Sequence, residues 1–213
     1  KYRDVEIVTK DKVKLHAWFV KANAEDPKSC RTLIFFHGNA GNIGSRLPNI
    51  EILVKRTNTN VLILAYRGYG DSEGAPSEEG LGLDAEATLE YALNDDEINS
   101  DRIFVFGRSL GAAVAARLAS EKSKHLQGII LENGFCSIAD MVDHLMPMVA
   151  KFKFLIQRIF YPTVDYIRKA TCPVLIVRGV KDEIVPSFHG VELHRSAIKA
   201  RFRTLYECAV GDH

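Results

Sequence analysis

Two hydrophobic patterns follow one another along this chain. The first alternates: Val5-Glu6-Ile7-Val8 and Val13-Lys14-Leu15-His16-Ala17-Trp18-Phe19-Val20 flank the turn-like Thr9-Lys10-Asp11-Lys12. Period-two alternation on both sides of a turn predicts a β-hairpin with one face toward solvent. The second pattern consists of short, nearly continuous apolar runs at residues 32–36, 61–66, 103–106, 128–131 and 174–177. Strands covered on both faces read this way, as in a parallel sheet sandwiched by helices. Helical segments are expected between them, at about 45–57, 79–93, 110–121 and 187–199, and a last short strand at 203–207. In the second helix Leu81, Ala85, Leu89 and Leu93 fall on one stripe. Strands alternating with helices imply βαβ crossovers. The expected class is therefore α/β: a mostly parallel eight-stranded sheet led by an antiparallel hairpin, with helices on both faces. No repeat or linker divides the chain, so residues 1–213 are expected to form one domain.

One stretch breaks the rhythm. Residues 134–170 separate two core strands by far more than a usual connection, and they are apolar and helix-prone, with Met141, Leu145, Met148, Phe152, Phe154 and Phe160 among them. An insertion there is expected to form a small helical cap over the sheet edge.

Composition narrows the function without naming it. Hydrophobic residues make up 46% and charged residues 26%, the balance of an ordinary globular domain. Lys and Arg total 28 against 27 Asp and Glu, and the basic residues are scattered, so nucleic acid is not an expected partner. Cys30, Cys136, Cys172 and Cys208 form no CxxC pair, which argues against a zinc site. They read as buried thiols, although a disulfide between distant positions stays open. Neither a metal nor a cofactor is expected. No run of about 18 apolar residues is present to span a bilayer. The chain opens at Lys1 and stops at His213 in loop-like sequence, so both ends read as cut and a preceding anchor stays open.

Chemistry concentrates at one turn. Ile103-Phe104-Val105-Phe106 runs into Gly107-Arg108-Ser109-Leu110-Gly111 and then an Ala-rich helix. In this strand, G-x-S-x-G, helix arrangement the glycines let strand and helix backbones approach, and the serine is thrust out at a helix N-terminus. The Leu110 amide then points where a carbonyl oxygen would gain charge. The plainer account of the motif is a glycine-rich turn whose serine caps the helix. A serine nucleophile also needs a base, and the base an orienting acid. The loop after 174–179 offers Asp182, with Glu183 its close rival, and the segment after the last strand ends in His213. The order Ser109, Asp182, His213 is the one expected for this fold. His213 has no following residue to hold it, which makes it the least secure member. His16, His125, His144, His189 and His194 lie away from the expected edge and read as surface histidines. After the third strand, His37-Gly38-Asn39-Ala40-Gly41-Asn42 forms a small-residue loop with free amides. Asn39 is the first choice for a second oxyanion donor and Ala40 the next, and His37 reads as structural, its ring bonded to nearby backbone. Neither GxGxxG nor GK(S/T) is present there to cradle a phosphate.

These pieces resemble the α/β-hydrolase superfamily over nearly the whole chain. The His37–Asn42 loop, Tyr66-Arg67-Gly68-Tyr69-Gly70-Asp71-Ser72-Glu73-Gly74 and Gly107–Gly111 are similar to eukaryotic α/β-hydrolase domain-containing proteins of type 13, with the type 17 depalmitoylases as relatives. The resemblance implies Ser109, Asp182 and His213 as a catalytic triad, and a membrane anchor or acylated segment before the hydrolase domain. Two departures stand out: the Cys-rich N-terminus of the type 17 relatives is not visible in this sequence, and the family's closing helix after the histidine is not within it, as expected where the ends read as cut.

The expected reaction is hydrolysis of an acyl ester or thioester, with a small-molecule or lipid-like acyl substrate suited to the Met- and Phe-rich cap. Lys151, Lys153 and Arg158 in the cap would suit an anionic membrane surface. Simple packing of the cap on the core accounts for the same apolar residues. A peptidase or amidase using the same triad, and a non-catalytic binding protein on this fold, are the alternatives.

Overall fold

A computed structural model describes residues 2–145 and 160–213, the side chains of 142–145 aside. Eight strands form one sheet: β1 (Tyr2–Val8), β2 (Lys14–Val20), β3 (Thr32–Phe36), β4 (Asn60–Leu64), β5 (Ile103–Arg108), β6 (Gly128–Glu132), β7 (Val174–Gly179) and β8 (Arg203–Cys208). Their spatial order is β1-β2-β4-β3-β5-β6-β7-β8. Strand β2 is antiparallel to both β1 and β4, and every later pair is parallel. The expected hairpin and parallel sheet are both present.

The continuous apolar runs divide between two cores because a strand presents alternate residues to opposite faces. Ile34 and Phe36 of β3, with Leu62 and Leu64 of β4, join a large core on one face. Leu33, Phe35, Val61 and Ile63 join a smaller core with Ile50 on the other. The predicted strand at 61–66 ends earlier, at Leu64. Past that end the Ala65 amide still donates to His16 O of β2 at 2.9 Å, and Ala65 and Tyr66 are both fully buried.

Among the described residues the α-helices are α1 (Leu47–Thr57), α2 (Glu78–Asn94), α3 (Leu110–Lys122), α4 (Ile138–Leu145), α5 (Thr163–Ile167) and α6 (Phe188–Ser196). Ser77 caps α2 by accepting the Gly80 amide at 3.0 Å, and Glu78 and Glu79 sit in its first turn, where the helix dipole favours acids. The predicted stripe is buried at Leu81, Ala85 and Leu89, but Asp84 and Thr88 are buried beside it. Asp84 is matched by Arg67, whose Nε donates to it at 2.8 Å. Arg67 also pairs with Asp11 on the hairpin turn at 2.7 Å, so one guanidinium ties the segment after β4 to both α2 and the hairpin.

Helices α4 and α5 lie within the inserted stretch 134–170. Its two described ends are joined by the Ile138 amide, which donates to Phe160 O at 3.0 Å. Glu78 of α2 then accepts the Phe160 amide at 2.8 Å. The rest of the expected cap, including Lys151, Lys153 and Arg158, lies outside the described residues. Among the described residues no helix is long and apolar enough to cross a membrane.

Candidate active site

Chain order reverses at β3, which has β4 on one side and β5 on the other. Ligands of open α/β sheets bind at such a switch point, outside the carboxyl ends of the strands. The loop after β3 and the turn after β5 both emerge there.

That turn is the Gly107–Gly111 motif. Ser109 has φ +54° and ψ −116°, a backbone that L-residues rarely adopt. The contacts around it explain the two glycines. A Cβ at Gly107 would stand 2.1 Å from Gly111 O, and one at Gly111 would stand 2.0 Å from Phe36 O. The Ser109 amide donates to Glu132 O at 2.9 Å, which fastens the turn to the end of β6. Although Ser109 holds the N-cap position of α3, its hydroxyl makes no capping hydrogen bond. The account of this serine as a mere helix cap therefore fails.

Gly38 brings the loop after β3 against the serine: a Cβ there would be 3.5 Å from Ser109 Cβ. His37 is fully buried, and its Nδ1 lies 2.7 Å from Gly38 O. A carbonyl only accepts, so Nδ1 carries the hydrogen. Burial lowers the His37 pKa below the usual histidine range, which keeps the ring neutral. Its structural role is as expected. Asn39 and Leu110 each present a backbone N–H with no intramolecular acceptor among the described residues. For Leu110 this follows from its place as the first residue of α3.

Asp182 lies in the loop after β7, with its carboxylate almost wholly buried. One oxygen accepts the amides of Ile184 and Val185, at 2.9 and 2.8 Å. The other is 2.8 Å from His213 Nδ1. A hydrogen on Nδ1 leaves the Nε2 lone pair free to take a proton. Glu183, the rival acid, is exposed. Among the described residues no hydrogen bond joins His213 Nε2 to Ser109 Oγ. The two segments are linked indirectly instead: the Ser109 amide donates to Glu132 O, and the side-chain Nδ2 of the next residue, Asn133, donates to Asp212 O at 2.9 Å.

Several residues here carried no expected role. Tyr69 donates its hydroxyl to Asn39 Oδ1 at 2.6 Å, and Arg46 donates to Ala40 O at 2.6 Å, so both brace the loop after β3. Tyr69 belongs to a segment that stood out for its resemblance alone. Tyr161 has φ +39°, unusual for a bulky residue, and it lines the cavity beside Ser109. That cavity has a volume of about 430 Å³ and is lined, among the described residues, by Leu81, Leu110, Phe135, Ile138, Met141, Tyr161 and Val185 with a few polar groups. No carboxylate or basic side chain lines it among the described residues.

Other expectations fare unevenly. The four cysteines are free thiols, three of them buried, so the open disulfide is absent. Burial pushes the Cys136 thiol up to about 12, far from the thiolate form a nucleophile needs. His189, expected at the surface, is fully buried, and its Nδ1 accepts the Cys136 amide at 3.3 Å. Helix α6 turns that position inward, which its weakly amphipathic sequence did not reveal. The side chain of His144 is outside the described residues. Among the described residues no cluster of His, Cys, Asp and Glu could hold a metal.

The chain is similar to known proteins. The family model described as serine aminopeptidase, S33, matches residues 27–167. The α/β hydrolase domain-containing protein WAV2 of Arabidopsis thaliana is 41% identical over 209 residues, covering 92% of this chain and 67% of WAV2. Protein bem46 of Schizosaccharomyces pombe is 38% identical over 214 residues, covering 99% of this chain and 71% of bem46. Among solved structures, the Pyrococcus furiosus esterase Pf2001 superposes with a TM-score of 0.78 at 25% identity, over 100% of this chain and 82% of the esterase. With its sheet order, its strained serine turn and these relatives, the chain belongs to the α/β-hydrolase superfamily.

Proposed function

We propose that this protein is a serine hydrolase that cleaves a lipid-like acyl ester or thioester, with Ser109 as nucleophile, His213 as base and Asp182 as the acid that orients it. The observation that carries this reading is the state of Ser109. Its backbone is held in a rare conformation, its hydroxyl is uncommitted to the helix, and it opens on an apolar cavity. In the proposed reaction Ser109 Oγ attacks the acyl carbonyl as His213 Nε2 takes its proton. The Asn39 and Leu110 amides receive the charge that develops on the carbonyl oxygen. His213 passes the proton to the departing alcohol or thiol. Water, deprotonated by the same nitrogen, then releases the carboxylic acid and restores the serine.

Aminopeptidase action is the second reading, and the matching family model favours it. An aminopeptidase must hold an α-ammonium group, which desolvation penalises unless a carboxylate faces it. The described cavity lining offers none, and its aliphatic and aromatic side chains suit an acyl chain. A fluorophosphonate probe should label the protein and fail to label Ser109→Ala. p-Nitrophenyl esters should turn over much faster than the matching anilides. Absence of labelling, beside a reference hydrolase that labels, would refute the reading, and a faster anilide would move it to peptidases. Action at an anionic membrane surface belongs to the same proposal, and co-sedimentation with phosphatidylserine vesicles tests it.

A further inference from the structure

We propose that Asn133 is a positioning residue that holds His213 at the site; this rests on reading His213 as the base. Asn133 directly follows β6 and is buried, with φ +47°. Asparagine tolerates that left-handed backbone better than most residues, though glycine suits it best. What glycine lacks is the side-chain amide, and here both of its ends are used.

The Oδ1 atom accepts the Gly179 amide at 2.8 Å, and Nδ2 donates to Asp212 O at 2.9 Å. The backbone amide of Asn133 donates to Val177 O at 2.9 Å. One residue therefore joins three parts of the site. Its neighbour Glu132 accepts the Ser109 amide, Gly179 begins the loop that carries Asp182, and Asp212 is the peptide unit directly before His213.

Apart from the hydrogen bond between His213 Nδ1 and Asp182, the tail is held among the described residues mainly by backbone contacts. Lys181 N donates to Gly211 O at 2.9 Å, and Gly211 N to Cys208 O at 3.1 Å. Gly179 packs so closely beneath the tail that a Cβ would stand 2.5 Å from Gly211 O and 2.7 Å from Asp212 O. Beyond the bond between His213 and Asp182, only the Asn133 amide among these contacts is made by a side chain, and only it ties Asp212 to the strand beside the nucleophile. Neither hydrogen bond touches substrate. Loss of the amide should turn the imidazole away from Ser109 while leaving the acyl cavity intact, so the rate of chemistry falls and substrate binding does not.

The test compares the parent protein with Asn133→Gly, Asn133→Asp, His213→Ala and Ser109→Ala. Asn133→Gly keeps the left-handed backbone and deletes the amide. Asn133→Asp keeps the shape and sets a carboxylate oxygen against Asp212 O in place of the donor. Both should lower kcat on a short p-nitrophenyl ester about tenfold to a hundredfold with KM changed less than about twofold. The downfield proton resonance of the His213 Nδ1–H, absent from His213→Ala, should broaden or shift in both variants. The proposal is overturned if Asn133→Gly keeps parental kcat and an unmoved resonance. It is equally overturned if kcat falls only in proportion to the folded fraction seen by circular dichroism. Parental turnover by His213→Ala would instead sink the assignment of the base. An inactive His213→Ala beside a fully active Asn133→Gly would sink the Asn133 proposal alone.

Discussion

Replacing Gly111 with alanine tests the close approach on which the serine turn depends. The added Cβ would lie 2.0 Å from Phe36 O, 2.6 Å from Phe36 C and 2.9 Å from His37 O, whereas ordinary contact begins near 3.4 Å. The first turn of α3 and the end of β3 must therefore part by about 1.4 Å, the difference between 3.4 and 2.0 Å. All three atoms are backbone, two of them in a strand paired on both sides and the third just past its end, so no rotamer change relieves the clash. Overpacking usually costs about 1–3 kcal/mol, and backbone on backbone belongs at the upper end. In a protein of this size that is a fall in Tm of about 6–12 °C. The same displacement separates the Leu110 amide from the His37–Asn39 loop. A misplacement of about 1 Å in a catalytic arrangement can lower the rate about a hundredfold. The assay pairs a calorimetric melt with the rate of fluorophosphonate labelling. Gly38→Ala serves as the stability control, because its Cβ would meet nothing nearer than 3.5 Å. A Gly111→Ala protein that melts within about 2 °C of the parent and labels at the parental rate would refute the packing described for this turn.

Three further outcomes follow from the same contacts. Asp84→Ala leaves the Arg67 guanidinium, nearly buried, with Asp11 alone, and should destabilise the fold by up to about 3–5 kcal/mol in a urea titration, Asp84→Asn by less. Ile138→Trp narrows the cavity beside Ser109 from its half-buried wall; if that cavity takes the proposed acyl chain, octanoyl ester turnover should fall relative to acetyl by about tenfold or more, and an unchanged ratio would remove Ile138 from the acyl path. His37 is neutral when folded because burial depresses its pKa, whereas unfolded histidine titrates at the ordinary 6.5. Below that value the unfolded chain binds the extra proton, so this contribution to stability is complete above pH 6.5 and is lost as the pH falls. Tm should drop on acidification from about pH 6.5 to 5 in the parent, and less steeply in His37→Gln.

What the sequence made legible was whatever depends on neighbours in the chain. Strands β3 to β7 show as apolar runs because parallel strands covered on both faces need no polar alternation. The turn around Ser109 shows because its tightness demands glycine at 107 and 111, two positions within five residues. Asp182 and His213 became candidates from strand order, since the parallel strands all deliver the chain to the same edge. The fully buried His189 was misread because a histidine looks the same in a sequence whether its ring meets water or the Cys136 amide. Asn133 shows the limit most clearly. Its residue type signals at most a left-handed turn after β6, yet its amide reaches Gly179 and Asp212, 46 and 79 positions away. Gly179 likewise reads as a strand-end glycine until Gly211 O is seen 2.5 Å from where its Cβ would be. Chain order brings the three chemical groups to one edge of the sheet. Which way the imidazole faces once there depends on contacts between segments that share no sequence pattern, and Asn133 is where those segments meet.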